Sequence, residues 1–333
     1  MELDEYKTLS EKDANFVCFR PIDRREELDR FIKEMEMDRD NKHLIYRGVS
    51  EAKYKIYTSA QRHWITQELE KTGKAFDAFI QALIDNASSS KNNNKLLSRY
   101  FKSFNIPIND FLILSYLQHY KAPSPLIDFT NNIYKSLFFC FDESSYAPCE
   151  GIGNYCSLYV INTDYITGNN ELISLPDFLN EACDKIDRTL QKHPGEKIGT
   201  NHVEKMIQGC PYSQFKDLRL LLIPGIKSGS RSHTIGSIPY FVANTYISNL
   251  NLIAQEGVFI FYNDPHIPLE EYFSGGNNQV YTLKQITCAN IHKSLKEYVV
   301  EKLLKPRHIT HELMYPQEED IARRAFDIFK EEM

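Results

Sequence analysis

A chain of 333 residues, 42% hydrophobic and 25% charged, has the composition of a globular protein with a sizeable core, built as two domains or as one large domain with insertions. Its formal net charge of −6 argues against non-specific binding to nucleic acid or to an anionic membrane as the main activity. Seven scattered cysteines without a CxxC pair argue against a zinc site or a disulfide framework, and no metal is expected.

Ile22 to Met37 reads as a helix, with Asp23 able to cap it and Leu28, Phe31, Ile32 and Met35 on one face. After a turn at Asp38 to Lys42, the short apolar run His43 to Tyr46 predicts a strand that delivers Arg47 and Gly48. A guanidinium placed directly after apolar residues needs an anion or several acceptors. Arg47 is therefore either a ligand clamp or the partner of a local carboxylate such as Glu51. Gly48 permits positive φ or a close backbone approach. Tyr54 to Ser59 alternates as an extended segment, and Gln61 to Asp85 is helical in pattern, with Trp64, Leu69, Phe76, Phe79, Ile80 and Leu83 as its apolar set. Ser88 to Lys95 is a polar linker.

Asp110 to Tyr120 predicts another helix, which leads into the stretch around which the chain is organised, Leu117 to Asp142. This stretch carries Gln118, His119 and Tyr120, then a proline-punctuated loop, then a short apolar run ending in Asp128, Phe129 and Thr130. Asn132 is placed to cap the helix that follows, whose face is Ile133, Leu137, Phe138 and Phe141. A buried helix here pins Asp128 and Thr130 at a strand-to-helix turn, as site residues or as turn chemistry.

Tyr155 to Ile161 reads as a strand, and residues 163–215 as a polar, helical insertion. Leu218 to Ile223 is a strand; Gly225 to Ser237 reads as a surface loop and lacks the order of a phosphate-binding P-loop. Asn251 to Tyr262 predicts a buried strand with Gln255, Glu256 and Gly257 at its start or at a bulge. Glu256 could stabilise a cation or bind sugar hydroxyls, or be an exposed strand-end charge. Tyr281 to Ile286 reads as a strand, Asn290 to Leu304 as an amphipathic helix, and Pro316 to Phe329 as a closing helix. The reading is α+β: a compact, mainly antiparallel mixed sheet with surrounding helices and the helical insertion. Residues 1–42 would be an N-terminal helical segment, 43–289 the core, and 290–333 helices packed on it. The acidic start, MELDEYKTLSEKD, is unlike a signal peptide, and no apolar run reaches membrane-spanning length. A reduced, cytoplasmic protein with no membrane partner is expected.

Tyr46-Arg47-Gly48 resembles the aromatic-Arg-Gly triplet of the FRG-domain family, and Tyr57 through Arg62 sits where that family has a short segment ending in arginine. Gln118-His119-Tyr120, Pro123 and Leu126 to Asn131 are similar to its Gln-His-Tyr-Gly-x-Pro and Leu-Leu-Asp-Trp-Thr signature. Gln255-Glu256-Gly257-Val258-Phe259 resembles its late Gln-x-Gly-x-Phe strand, and Leu313 to Pro316 fits its ending. The chain departs at Lys121 (glycine in the family), at Ser124-Pro125 (Thr-Arg) and at Phe129 (tryptophan). A second, architectural resemblance is to ADP-ribosyltransferases, through the order Arg47, Thr130, then Gln255 and Glu256.

That resemblance implies NAD as the substrate and a macromolecular acceptor, protein or nucleic acid. Arg47 would hold the NAD pyrophosphate or ribose, helped by Gly48, Arg62, Gln118 and Gln255. Thr130 would shape the nicotinamide pocket, with Tyr57 or Tyr120 stacking on the ring. Glu256 would stabilise an oxocarbenium-like transition state, and His119 with Asp128 would serve as general base. Competing readings are a non-catalytic nucleotide sensor, a metal-independent hydrolase or nuclease using His119 and Asp128, and an interaction protein in a bacterial or phage defence system.

Overall fold

Apolar and β-branched runs that alternate with period two assemble into one mixed sheet. The structure, a computed structural model, describes residues 2–39, 43–88, 99, 101, 103, 109–142, 151–163, 173–174, 188, 212–218, 220–223, 229–235, 238–244, 250–274, 286–317 and 319. The strands are β1 (Cys18–Ile22), β2 (Leu44–Val49), β3 (Leu126–Thr130), β4 (Tyr155–Asn162), β5 (Ile173–Ser174), β6 (Leu220–Ile223), β7 (Gly229–Ile235), β8 (Ile238–Asn244), β9 (Gly257–Tyr262) and β10 (Ile286–His292). Eight of them form a sheet in the order β1-β10-β4-β2-β3-β9-β6-β5, and β7 with β8 makes a separate hairpin ladder. β1 runs parallel to β10 and β5 parallel to β6; the remaining ladders are antiparallel. With α1 (Leu9–Asp13), α2 (Arg25–Arg39), α3 (Ser59–Thr66), α4 (Phe76–Ser88), α5 (Asp110–His119), α6 (Ile133–Phe141), α7 (Tyr212–Phe215), α8 (Leu250–Ala254), α9 (Leu269–Phe273) and α10 (His311–Met314), the class is α+β, as the sequence predicts.

The two faces of the sheet are covered differently, and that difference makes the cleft. Successive residues of a strand point to opposite faces. On one face Ile45, Ile127, Phe129, Tyr159, Ile161, Val258 and Ile260 join a single continuous core with Phe16, Leu269 and Phe273. On the other face there are two cores. Leu44, Tyr46, Leu158 and Val160 pack under α2, α6 and the C-terminal helical tract. Leu126, Phe259, Phe261 and Leu221 pack under α3, α4, α7 and the start of α5. The division falls between β2 and β3, which are in register at only one pair, Tyr46 with Thr130.

Caps fix the elements on either side of that division. The Asn132 side chain accepts from the backbone N–H of Tyr134 at 3.0 Å, as expected for the α6 cap. Asn109 does the same for α5 through Leu112 at 2.8 Å. Thr58 and Gln61 form a reciprocal capping box at the start of α3.

Several local expectations change. Cys18–Ile22, inside the supposed N-terminal helical segment, is strand β1, and Asp23 does not cap α2: its Oδ1 accepts from Tyr155 Oη at 2.7 Å. Tyr54 makes only an isolated bridge with Glu5, and the residues that follow are extended coil. The helix expected over 61–85 is broken, because Glu68 (φ 53°) and Gly73 (φ 73°) interrupt it between α3 and α4. Gly229–Ile235, expected as loop, is a strand because Ile238–Asn244 supplies a β-prone partner two residues away. Asn251–Ala254 is helical, and the strand begins only at Gly257. Asn290 and Ile291 belong to β10, so the helical tract starts at Lys293 and passes through a π stretch at Val299–Leu304. Most of 163–215, with Ser89 to Lys95, Tyr281 to Gln285 and 320–329, lies outside the described residues.

Candidate functional site

Where β2 parts from β3, one β3 carbonyl would lose its ladder partner. Arg47 takes that place: its Nη1 donates to the Asp128 carbonyl oxygen at 2.6 Å. The alternative partner, Glu51, is bound by Lys293 at 2.5 Å, so Arg47 is not tied to it. The Arg47 Nε is buried and has no hydrogen-bond partner among the described residues. Burial lowers the Arg47 pKa from its ordinary value, against the favourable field of Asp128, and the guanidinium remains charged at neutral pH. A buried donor left unmade costs about 1–3 kcal/mol.

Arg47 lines a cleft of about 990 Å³ that lies over this gap, between the two cores of the divided face. Ligand pockets are commonly roughly 300–1,000 Å³. The Asp128 side chain is exposed within the cleft and accepts from Gln118 Nε2 at 2.6 Å. Gln118 Oε1 in turn accepts from Ser59 Oγ at 3.2 Å, which fixes the amide's orientation. His119 also lines the cleft, and burial pulls its imidazole below the usual histidine value while the Asp128 carboxylate acts in the opposite sense. The two are not hydrogen-bonded: Gln118 holds the carboxylate that was expected to orient the imidazole. Thr130 Oγ1 donates to the Gln255 carbonyl at 2.6 Å, and both residues line the cleft.

Four expected site residues stand elsewhere. Glu256 lies outside the lining, its carboxylate bound to Lys135 Nζ at 2.8 Å and to Asn132 Nδ2 at 3.1 Å. Tyr57 is buried beside the charges of Lys55, Glu271 and Asp4, and burial pushes its phenol up to about 12. Tyr120 is 62% exposed, its ring against Tyr116 and His119 and outside the lining. Arg62 also lies outside, but desolvation first and the Arg47 charge second lower its pKa, so the two guanidinium groups feel each other.

Gly48 lines the cleft, but its need for glycine comes from the helix behind it. A Cβ there would stand 1.9 Å from the Ser136 carbonyl oxygen, in the backbone of α6. Lys121, at the family's glycine position, adopts φ 59°, the left-handed region that favours glycine. Pro125 is buried, and its carbonyl accepts from Tyr262 N at 2.8 Å, so no cation stands there.

The sequence reading missed Phe139, Asn251, His311, Tyr315 and Gln317, which complete the cleft wall. For Phe139 there was a signal: it falls off the apolar stripe of α6, and it sits at the edge of the core, partly buried against it. Among the described residues no group of three His, Cys, Asp or Glu side chains is placed to hold a metal ion. No helix among them is long and apolar enough to cross a membrane.

Residues 42–147 match the family model of the FRG domain. The chain carries an FRG domain. Neither a curated protein nor a solved structure matches the chain. The FRG domain supplies one side of the cleft: Arg47, Gln118, His119, Asp128, Thr130 and Phe139 all fall inside the matched span. Asn251, Gln255, His311, Tyr315 and Gln317 lie beyond it, so the rest of the chain supplies the opposite wall.

Proposed function

We propose that the cleft binds a nucleotide of the NAD type, with Arg47 as the clamp for its phosphate-bearing part. The observation that carries this is Arg47 in the wall of a cleft of nucleotide size, its Nε buried and without a hydrogen-bond partner among the described residues. The remaining lining suits such a ligand: Gln118, Asp128 and Gln255 offer groups that bind ribose hydroxyls, and Phe139 and Tyr315 offer rings. Arg62 adds positive charge close to Arg47.

A catalytic reading, ADP-ribosyl transfer to a macromolecular acceptor, is favoured by one observation. Asp128 is a fixed carboxylate exposed in the cleft, positioned by the Ser59–Gln118 chain. A preorganised negative group where positive charge develops is a large catalytic effect. In this arrangement the carboxylate is Asp128, because Glu256 is engaged with Lys135 and Asn132 outside the cleft. His119, whose pKa burial pulls below the usual histidine value, is then the base for an acceptor hydroxyl or amine.

The test is NAD calorimetry together with nicotinamide release, on wild type, Arg47→Ala, Asp128→Asn and Glu256→Gln. Loss of a charge-assisted contact predicts roughly ten- to a hundred-fold weaker NAD binding for Arg47→Ala. Glu256→Gln should bind NAD within about two-fold of wild type, since that carboxylate is engaged with Lys135 and Asn132 outside the cleft. Nicotinamide release by wild type that Asp128→Asn abolishes while still binding NAD would establish NAD cleavage, and ADP-ribose recovered on an added protein or nucleic acid would make it transfer; binding without release leaves a sensor. NAD binding that survives Arg47→Ala would sink the clamp.

A further inference from the structure

The polar residues of the cleft form one connected group, Arg47 to the Asp128 carbonyl and Gln118 to the Asp128 carboxylate. Its rings form another. Tyr315 lies 4.8 Å from His311 and 6.3 Å from Phe139, the latter edge to face. Phe138, buried in the core, backs Tyr315 at 6.0 Å. The segment carrying these rings is held firmly. Thr310 caps α10 through Leu313 N at 3.3 Å, Met314 is fully buried, and the Met314 carbonyl accepts from Gln255 Nε2 at 2.9 Å. Asn251 lines the same cleft, on helix α8, which contacts α10, and its side-chain amide has no hydrogen-bond partner among the described residues. Planar aromatic faces next to a primary amide are the chemistry that holds a heterocycle, by stacking on its face and bonding to its edge.

We infer that the ring wall made by Phe139 and Tyr315, with the Asn251 amide, is a subsite for the planar heterocycle of the bound nucleotide. It rests on the proposed nucleotide reading and extends it. The stacking that the sequence assigned to Tyr57 or Tyr120 passes to Tyr315, which comes from beyond the matched FRG span. Recognition of the base is then set by Tyr315 and Asn251 from beyond the matched FRG span together with Phe139 inside it, and affinity for the phosphates by Arg47.

The experiment is calorimetry on the full chain with two probes, NAD and inorganic pyrophosphate, for wild type, Tyr315→Leu, Tyr315→Phe, Asn251→Ala and Arg47→Ala. Leucine keeps apolar packing against Phe138 but removes the π face. The expected result for Tyr315→Leu is NAD binding weakened roughly ten-fold or more, with pyrophosphate binding within about two-fold of wild type. Tyr315→Phe retains both. Asn251→Ala weakens NAD alone, and it carries the test if Tyr315→Leu does not fold. Arg47→Ala weakens both probes. If neither Tyr315→Leu nor Asn251→Ala changes NAD binding while Arg47→Ala weakens both probes, the nucleotide reading stands and the heterocycle subsite falls. If wild type binds pyrophosphate but not NAD, or neither, the nucleotide reading itself fails and takes the subsite with it.

Discussion

Gly48→Ala tests whether this glycine serves packing or ligand approach. The added Cβ would stand 1.9 Å from the Ser136 carbonyl oxygen and 2.9 Å from the Cys140 nitrogen. Both are backbone atoms of α6, so no change of rotamer relieves the contact. An ordinary carbon–oxygen approach is about 3.3 Å, so β2 and α6 must separate by more than roughly an ångström. Leu137, Cys140 and Phe141 are fully buried on that helix, and moving it opens voids along a close-packed core. The cost should reach the upper end of the roughly 1–3 kcal/mol seen for overpacking, against a total stability of about 5–15 kcal/mol. Urea unfolding followed by circular dichroism reads it: at a slope near 3 kcal/mol per molar, the midpoint should fall by roughly 1 M. Gly73→Ala is the control, since its position (φ 73°) is surrounded by open space and carries only backbone strain of about 1–2 kcal/mol. NAD binding should weaken in Gly48→Ala as well, because Arg47 and Phe139 sit on the two elements that are pushed apart. A Gly48→Ala protein within about 0.5 kcal/mol of wild type would refute the packing argument.

Two further predictions concern the buried charges on the opposite side of the molecule. Glu270 is fully buried, and desolvation raises its pKa to about 6 although bonds from Tyr6 Oη and Ile56 N act in the other direction. The unfolded chain titrates near 4.3, so the native state holds the extra proton; stability contributed below about pH 4.5 is lost as pH rises through 6, by about 2 kcal/mol. Denaturant unfolding at pH 5 and pH 7.5 should show that loss in wild type and not in Glu270→Gln, and equal slopes in the two proteins would contradict it. Lys12 has no exposed surface, and its Nζ donates to the Ala52 carbonyl at 2.8 Å, Ser157 Oγ at 2.6 Å and Asn290 Oδ1 at 3.0 Å. Lys12→Ala leaves a void and three acceptors short of a donor, and should cost about 3–5 kcal/mol in the same assay. A loss below about 1 kcal/mol would mean that α1 is not anchored through this lysine.

The parts of the fold that were legible in the sequence are those whose signal is local. Ile133, Leu137, Phe138 and Phe141 recur at helical spacing behind a capping Asn132, and α6 lies where that pattern puts it. The same holds for β3 and β4, whose apolar runs are short and bounded. Strand β1 was missed because CFRPI has neither alternation nor a hairpin partner; it is set by parallel pairing with β10, more than 260 residues later. Glu256 was misplaced for a related reason. The sequence shows that it precedes a buried strand, but the side chain's direction depends on φ 48° and on Lys135 and Asn132, which no spacing predicts. Arg47, Gln118, His119, Asp128, Thr130 and Gln255 come together because β2, β3, the end of α5 and the turn before β9 meet where the sheet divides. The wall they face is built by residues 251 and 311–317, and a contact at that separation leaves no periodic trace.

The division of the sheet also decides whether the FRG span can stand alone. Within residues 42–147 the described strands are β2 and β3, joined at the single pair Tyr46 with Thr130. The full ladder of β2 is with β4, and that of β3 is with β9; both partners lie beyond residue 147. An isolated 42–147 fragment therefore leaves the backbone groups of both strands unpaired and exposes Leu44, Ile45, Ile127 and Phe129, which the whole chain buries. An isolated two-stranded pair is marginal in water, and this one has a single registered contact. The fragment should show no cooperative urea transition and rapid amide exchange throughout, while the full chain unfolds cooperatively. A fragment that unfolds in one sharp transition and still binds NAD would mean that the segment beyond residue 147 is dispensable to the fold and to the cleft. It would also remove the argument that the two walls must be assembled from distant parts of one chain.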